Sequence, residues 1–318
     1  MSAEEFRIEC CAPADRADAL RLLHAGLSPD QQTALPPTLD AVRSQGDSAG
    51  DSAGDNAGDN AFSGLLVAKN PQQMMGVVWV QLAPGRTAVV WPPAIGGAAS
   101  SELMRAAANF LDDGRIALAQ ILVSPDAPHD SEMLAAGDFR RLIELEYLTV
   151  QRDLFPAATP RSELQFAAFA SDEPQRLGRL LLETYEQTLD CPQLNGLRDS
   201  ADILAGYAAQ GQFSADRWFF VQQAGRDVGT LILTEYPDGE TWELVYMGVV
   251  PAARGNGFGR QIVNFALAQA GVGGAGQLVL AVDRANAPAL AMYRAAGFVS
   301  WDRRTVYARL NRQESTSA

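Results

Sequence analysis

One stretch of the chain reads Glu243-Leu-Val-Tyr-Met-Gly-Val-Val-Pro-Ala-Ala-Arg-Gly-Asn-Gly-Phe-Gly-Arg260. It joins an apolar run, a glycine-rich turn and the start of a segment with periodic apolar residues. The β-branched run up to Pro251 favours a buried strand, and the spacing of apolar residues from Arg260 to Ala270 indicates a helix. Alternate glycines leave backbone N–H groups uncovered at the positive end of the helix dipole. The stretch therefore predicts an anion site that would suit a pyrophosphate. The alternative is an ordinary glycine turn before a helix.

Two motifs in this part of the chain resemble the GNAT superfamily of acetyltransferases. The strand ending in Val249-Val250-Pro251 is followed by Arg254-Gly255-Asn256-Gly257-Phe258-Gly259, which resembles the acetyl-CoA signature of that family. About 27 residues downstream, residues 286–298 begin with Asn-Ala, contain Tyr293 and end in Gly-Phe, which resembles the second motif. The resemblance implies an α/β fold, with a mixed, mostly antiparallel twisted sheet flanked by helices.

The resemblance also implies acetyl-CoA as a co-substrate. It places the pyrophosphate on backbone N–H groups of residues 254–260. It places the pantetheine in a gap beside the next strand, Gln277 to Val282, paired with backbone near Val249. Asn286 opens the second motif, where it is predicted to cap a helix and to contact the cofactor. The predicted cofactor-binding residues are Val249, Val250, Arg254, Gly255, Asn256, Gly257, Phe258, Gly259, Arg260 and Asn286.

The chemistry that the resemblance implies is direct transfer of acetyl to a primary amine. Such a site must deprotonate the amine, stabilise an oxyanion and protonate the leaving thiolate. Tyr293 resembles the thiolate proton donor of the family, and its alternative role is packing on a helix. Glu243 lies on the strand that leads into the glycine loop, and it is the candidate base, directly or through a water. Strand alternation could equally leave Glu243 in solvent.

The acceptor is expected to be an amine of a small molecule or peptide. An irregular segment at 190–198 separates two predicted helices, 173–189 and 200–209. In the GNAT family this region usually builds the wall of the acceptor pocket. The predicted substrate contacts are therefore Tyr185, Asp190, Asn195 and Arg198. The alternative is a capped surface loop.

The chain contains an internal repeat, which predicts a tandem architecture. Adding 159 to the residue number carries Pro92 onto Pro251 and Phe139 onto Phe298 without a gap. We expect a degenerate GNAT-like domain at 1–155, a catalytic one at 160–311 and a flexible tail at 312–318. In this register the first copy lacks the signature: Ile95, Ala98, Ser100 and Leu134 stand where the second copy has Arg254, Gly257, Gly259 and Tyr293. One competent acetyl-CoA site is therefore predicted, although residual CoA binding by the first copy stays open.

Composition narrows the function classes. A formal net charge of −13 over 318 residues disfavours a nucleic-acid partner. Three cysteines without metal-type spacing suggest neither a disulfide framework nor a metal site, which fits a cytoplasmic protein. No apolar run approaches the ~20 residues of a membrane span, so no membrane partner is expected. We expect a monomer or a homodimer.

Two further glycine patterns match motifs of other protein classes, a serine hydrolase and a dinucleotide-binding protein, but lack the neighbouring strand and helix that those motifs require. Residues 46–61 repeat a Gly/Asp/Ser/Ala tetrapeptide, read as a disordered loop, and match Gly-x-Ser-x-Gly by chance, with no strand before and no helix after. Residues 271–276 match Gly-x-Gly-x-x-Gly but follow a helix, the reverse of what a dinucleotide site requires. A hydrolase is thus disfavoured. A non-catalytic acyl-CoA-binding regulatory module remains the alternative, and the presence of Tyr293 favours an enzyme.

Overall fold

The computed structural model describes residues 6–35, 61–158, 161–170 and 172–311. The predicted repeat loop, apart from Ala61, and the predicted tail at 312–318 lie outside the described residues.

The two halves of the chain carry their elements in the same order. The first half contains a helical segment at 29–35 together with β1 Arg7–Cys10, α1 Arg16–Gly26, β2 Leu65–Lys69, β3 Met74–Ala83, β4 Thr87–Trp91, α2 Ser100–Asp113, β5 Leu118–Val123, α3 Ser131–Ala136 and β6 Arg140–Gln151. The second half contains β7 Gln165–Ala168, α4 Pro174–Tyr185, α5 Ser200–Ala208, β8 Trp218–Gln223, β9 Arg226–Glu235, β10 Thr241–Val249, α6 Phe258–Val272, β11 Gln277–Asp283, α7 Ala287–Ala295 and β12 Val299–Leu310.

These elements form two compact units, residues 1–142 with 305–318 and residues 143–304. The sheet of the first unit runs β1-β2-β3-β4-β5 and ends with residues 305–310 of β12 beside β5. The sheet of the second unit runs β7-β8-β9-β10-β11 and ends with residues 145–151 of β6 beside β11. Within each unit one described pair is parallel, β4/β5 or β10/β11, and the other neighbouring strands are antiparallel. The predicted mixed, mostly antiparallel α/β fold is confirmed.

The compact units cut across the two sequence copies. The last strand of each half pairs within the unit that the other half builds, β6 through residues 145–151 and β12 through residues 305–310. The division into sequence domains at 1–155 and 160–311 stays a prediction about the two copies, and the second unit is the one that carries the signature motifs.

The core of the second unit lies on one face of β10 and β11. Trp242 and Leu244 of β10 and Leu278 and Leu280 of β11 are buried in one cluster. Helix α6 packs on them through positions spaced for a single helical face, namely Ile262, Val263, Ala266, Leu267 and Ala270. Each fully buried Ile, Val or Leu side chain among them contributes about 1.5–3 kcal/mol. Because side chains alternate along a strand, Glu243 and Ala281 lie on the opposite face, away from this core.

Candidate active site

Strands β10 and β11 separate after three registered pairs. Their parallel pairing ends at Glu243↔Val279, although both strands continue. The pairing of β10 with β9 shifts register between Leu244 and Tyr246, which makes Val245 a bulge. A bulge bends its strand and strengthens the local twist. A gap therefore opens between the two strands beyond Glu243, at the position that the family resemblance implies for the pantetheine.

The gap contains a cavity of about 280 Å³. Its wall comes from the two separated strands, from helix α7, and from the end of α4 with the loop that follows it. The lining residues are Thr184, Gln187, Thr188, Leu189, Asp190, residues 244–249, Arg254, Ala281, Val282, Asn286, Ala289, Met292 and Tyr293.

The glycine loop leads from β10 into the N-terminus of α6 and borders a second cavity of about 570 Å³. Gly255 and Gly257 have φ of 82° and 74°, a conformation that favours glycine, and a Cβ at either position would meet nothing within 4 Å. Among the described residues, the N–H groups of residues 255–257 donate to no backbone acceptor. Those of residues 258–260 begin a helix and so lack an intrahelical partner. This cradle of N–H groups fits a diphosphate at a helix N-terminus.

Other predicted cofactor residues support the loop itself. Val250 and Phe258 are buried in the core, and the Val250 N–H donates to the Val228 carbonyl (3.0 Å). The Arg254 N–H donates to Pro251 (3.2 Å), so the free N–H groups begin at Gly255. The Asn256 side chain donates to the Ala253 carbonyl (3.1 Å), which holds the turn. Val249 lines both cavities, and Arg260 is exposed beside the larger one.

The guanidinium of Arg254 joins the glycine loop to the end of α4. Nε donates to the carbonyl of Val249 (3.0 Å), and Nη1 to that of Gln187 (3.0 Å). Nη2 donates to the carbonyls of Thr184 (3.0 Å) and Glu186 (2.7 Å). The planar fork suits this arrangement because its donors point in fixed, divergent directions. Arg254 thus fixes the segment that forms one wall of the smaller cavity.

Tyr293 lies on α7 and faces the smaller cavity. Its side chain is 6% exposed, and its ring packs edge-on against Phe298 with centroids 5.6 Å apart. Its hydroxyl forms no hydrogen bond with any described residue, and burial raises its pKa well above the ordinary value. The phenol therefore keeps its proton at neutral pH while its oxygen remains available to a ligand. Asn286 caps α7 as the sequence predicts, accepting the Ala289 N–H (3.3 Å).

Glu243 lies next to the cavity but does not line it, whereas its neighbours Leu244 and Val245 do. Its Oε2 accepts a hydrogen bond from the Tyr236 hydroxyl (2.6 Å). Burial raises the pKa of Glu243, and the bond from Tyr236 partly offsets this. A carboxylate with a raised pKa is a better proton acceptor near neutral pH, provided that an amine or a water reaches it.

Of the four predicted substrate contacts, Asp190 alone lines the smaller cavity. Its Oδ1 accepts the Asp283 N–H (2.8 Å), and burial, followed by the nearby Asp283 carboxylate, raises its pKa. The Tyr185 hydroxyl shares a hydrogen bond with Tyr207 (2.6 Å), and Asn195 donates to the Tyr185 carbonyl (2.9 Å). Arg198 is half-buried, with its charge near Tyr185. Tyr185, Asn195 and Arg198 therefore support the wall rather than face the cavity.

Sequence reasoning missed a contact that closes the cavity from the α4 side. The Thr184 hydroxyl shares a hydrogen bond with the Tyr246 hydroxyl (2.7 Å), although the two residues are 62 positions apart. A Cβ on Gly248 would lie 2.7 Å from Thr184, so glycine is required where α4 meets β10. No local pattern signals this contact, because it depends on how two distant elements pack.

The described residues contain no group of three or more His, Cys, Asp or Glu side chains arranged to hold a metal ion. Their helices include none with the length and apolar composition that crossing a bilayer requires.

Comparison with known families and relatives agrees with this geometry. Residues 181–298 match the family model described as "Acetyltransferase (GNAT) family". A mycothiol acetyltransferase of Thermobispora bispora is 33% identical over 102 residues, 30% of this chain and 35% of the relative. A mycothiol acetyltransferase of Beutenbergia cavernae is 28% identical over 209 residues, 58% of this chain and 67% of the relative. The first of these matches spans about a third of the relative's length.

Solved structures share the fold at low sequence identity. A GCN5-related N-acetyltransferase from Sphaerobacter thermophilus matches with a TM-score of 0.59 and 17% identity, covering 97% of this chain and 96% of that one. A tandem GNAT protein from the clavulanic acid biosynthesis pathway matches with a TM-score of 0.51 and 13% identity, covering 96% and 98%. The chain therefore shares its fold with solved GNAT proteins, one of them a tandem GNAT protein, and residues 181–298 match the GNAT family of acetyltransferases, as the two motifs predicted.

Proposed function

We propose that this protein is an acetyl-CoA-dependent N-acetyltransferase with one active site, in the second unit, that acts on a primary amine of a small molecule or peptide. One observation carries the proposal: the cavity that Tyr293 lines, in the gap between β10 and β11, and the cavity at the N–H cradle of α6 share Val249, Arg254 and Met292 as lining residues. The GNAT domain and the acetyltransferase names of its relatives support the same reaction class.

The binding roles follow from which backbone groups are free. The N–H groups of residues 255–260 would hold the diphosphate. The edge of β10 beyond Glu243 has lost β11 as a partner, so it would pair with the pantetheine amides. Arg254 would act indirectly, by holding the end of α4 against the strand rather than by contacting phosphate.

The proton transfers are assigned to two side chains. Acetyl-CoA supplies a thioester whose carbonyl carbon the amine attacks, giving an amide and the free CoA thiol. An amine is an ammonium at neutral pH and must lose a proton before it can attack, and Glu243, directly or through a water, would take that proton. The second proton that nitrogen loses on forming the amide balances the proton that the sulfur gains. Tyr293 would donate its hydroxyl proton toward the leaving sulfur, because it lines the cavity and its phenol is protonated at neutral pH.

The first unit lacks the features that make the gap. Its parallel pairing ends at Val89↔Gln120, and β4 continues for only two residues, whereas β10 continues for six. Its loop also closes on itself, because the Ser100 hydroxyl donates to the Ala94 carbonyl (2.7 Å) and the Gly97 N–H donates to the same carbonyl (3.3 Å). Leu134, at the position of Tyr293, is buried. These differences support a single site.

Calorimetric titration with CoA, paired with an assay of thiol release from acetyl-CoA over a panel of amines, tests the proposal. We expect one CoA per chain. Gly257→Val should abolish binding, since a β-branched residue cannot adopt φ of 74° without strain and its side chain would enter the open cradle. The matched substitution Ala98→Val in the first unit should leave binding unchanged. Two equal sites would exclude the single-site proposal, and CoA binding without transfer to any amine would favour a regulatory acyl-CoA-binding module.

A further inference from the structure

Resting on the proposed function, we propose that the acceptor is a ring-bearing primary amine, bound as an ammonium by Glu243, Tyr236 and Tyr147, with its ring against Trp301. These four side chains, called here the acceptor cluster, belong to the second unit.

The cluster lies on the face of the sheet opposite the core. In the pairing of β6 with β11, Tyr147 stands beside Ala281, while the neighbouring pair Leu148↔Leu280 is buried. Glu243 likewise stands between the buried Trp242 and Leu244. Because side chains alternate along a strand, Tyr147, Ala281 and Glu243 share the other face.

The face is continuous with the cavity in the gap. Ala281 lines that cavity and is exposed, and Val245 on the adjacent strand lines it and is half-buried. An amine held at Glu243 would therefore border the space that Tyr293 faces from α7. The cluster and the proton donor thus approach one cavity from different sides.

The acceptor cluster contains a carboxylate without a cationic partner among the described residues. Glu243 is largely buried, and its hydrogen bond within the described residues comes from the neutral Tyr236 hydroxyl. It takes part in no ion pair there. A buried carboxylate is stabilised by a paired cation. An ammonium would supply that charge, whereas an acidic or neutral ligand would not.

Aromatic rings surround the same position. The Tyr236 hydroxyl contacts Glu243 directly (2.6 Å), and the pKa of Tyr147 is raised to about 12, mainly by burial and further by the charge of Glu243. The Tyr147 hydroxyl forms no hydrogen bond with a described residue, and its ring meets Trp301 edge-on with centroids 5.8 Å apart. The faces of such rings attract cations. The nearby cation Arg304 is paired with Asp302 (2.7 Å), which limits its repulsion of an ammonium.

Trp301 extends the cluster toward solvent. Trp301 is 59% exposed, so its ring beside Tyr147 is open to a ligand. Stacking on Trp301 would bind the ring of an acceptor whose amine reaches Glu243. This explains why we assign a ring-bearing amine rather than a linear one.

Two measurements test the inference separately from transfer. The first titrates 2-phenylethylamine, as its ammonium salt, into the protein in the presence of CoA, with 2-phenylethanol as the uncharged control. We expect the ammonium to bind once per chain and the alcohol at least tenfold more weakly. Trp301→Ala and Glu243→Gln should each weaken ammonium binding at least tenfold. Val272→Ala, a substitution of a side chain that is 82% exposed on α6, should change nothing.

The second measurement compares KM for 2-phenylethylamine, cyclohexylmethylamine and butylamine in the transfer assay. Trp301→Ala should raise KM for the two ring amines about tenfold and leave that for butylamine unchanged, while Tyr147→Leu should raise all three. The affinity for acetyl-CoA should stay the same in both variants. Equal KM values for cyclohexylmethylamine and 2-phenylethylamine would show that the acceptor cluster selects for a ring and does not require that it be aromatic.

The outcomes separate the inference from the proposed function. Absence of ammonium binding, or binding that Trp301→Ala and Glu243→Gln leave intact, overturns the acceptor cluster even if some amine is acetylated. Ammonium binding that depends on the cluster, together with no transfer to any amine, supports the cluster and overturns the proposed transferase.

Discussion

Replacing Tyr293 with Phe isolates one hydroxyl at the centre of the proposed chemistry. The ring would keep its edge-on packing against Phe298. Because the hydroxyl makes no hydrogen bond with a described residue, its removal leaves no partner unsatisfied. We therefore expect a change in unfolding free energy within about 0.5 kcal/mol. The acetyl-CoA affinity should also persist, since the N–H cradle of residues 255–260 lies on a different element.

The expected effect of Tyr293→Phe is on turnover. A general acid contributes roughly 10²- to 10⁴-fold, which corresponds to about 2.7–5.4 kcal/mol in the activation free energy. Thiol release at saturating acetyl-CoA and amine gives kcat, and calorimetry gives the acetyl-CoA dissociation constant. Tyr307→Phe is the matched control, because it removes the hydroxyl of another buried tyrosine, in the first unit.

Three results would count against this reasoning. Unchanged kcat would make Tyr293 a packing residue. A rise in KM for acetyl-CoA with unchanged kcat would make it a binding contact. A comparable loss of kcat in Tyr307→Phe would show that the effect is not specific to the cavity.

Two other predictions concern the supports of the site. Tyr236→Phe should move the acidic limb of the pH profile of kcat/KM to higher pH. Burial raises the pKa of Glu243 and the hydrogen bond from Tyr236 lowers it, so losing that bond raises the pKa further. The base must be ionised to act, so activity then begins at a higher pH. An unmoved limb would mean that Glu243 is not the titrating base. Arg254→Lys should lower the unfolding free energy by about 1–3 kcal/mol, since a single ammonium cannot reach all four carbonyls that the guanidinium joins. Denaturant titration measures this loss of stability. The rate of backbone hydrogen exchange in residues 184–187 should rise as well. An unaltered rate would contradict the proposal that Arg254 holds the end of α4.

The elements of the second half could be predicted closely because their signals are local. The apolar run before Pro251 and the periodic segment after it predicted a strand and a helix, and the structure has β10 and α6 there. The bulge at Val245 left no such signal, yet it opens the gap. The ungapped match between the two copies was traced from Pro92 onward, which lies just beyond β4. It therefore could not reveal that β4 extends fewer residues past its last parallel pair than β10 does.

The site could be predicted in part for the same reason. Tyr293 and the glycine loop each belong to a short motif, and the structure brings both to the gap. Tyr185, Asn195 and Arg198 were assigned from a predicted helix-loop-helix, and none of the three lines the smaller cavity. Hydrogen bonds hold Tyr185 to Tyr207 and Asn195 to the Tyr185 carbonyl. The bond between Thr184 and Tyr246 and the bond between Asp190 and Asp283 join residues 62 and 93 positions apart. Such pairs follow from tertiary packing, which overrides what any short window of sequence contains.

The exchange of β6 and β12 makes each half of the chain structurally dependent on the other. A fragment holding only the second half would lack β6, so β11 would become an uncovered edge with unpaired N–H and C=O groups, the kind of edge that templates aggregation. It would also lose Tyr147. The unit that carries the signature motifs therefore depends on the first half, because the first half supplies a strand of its sheet.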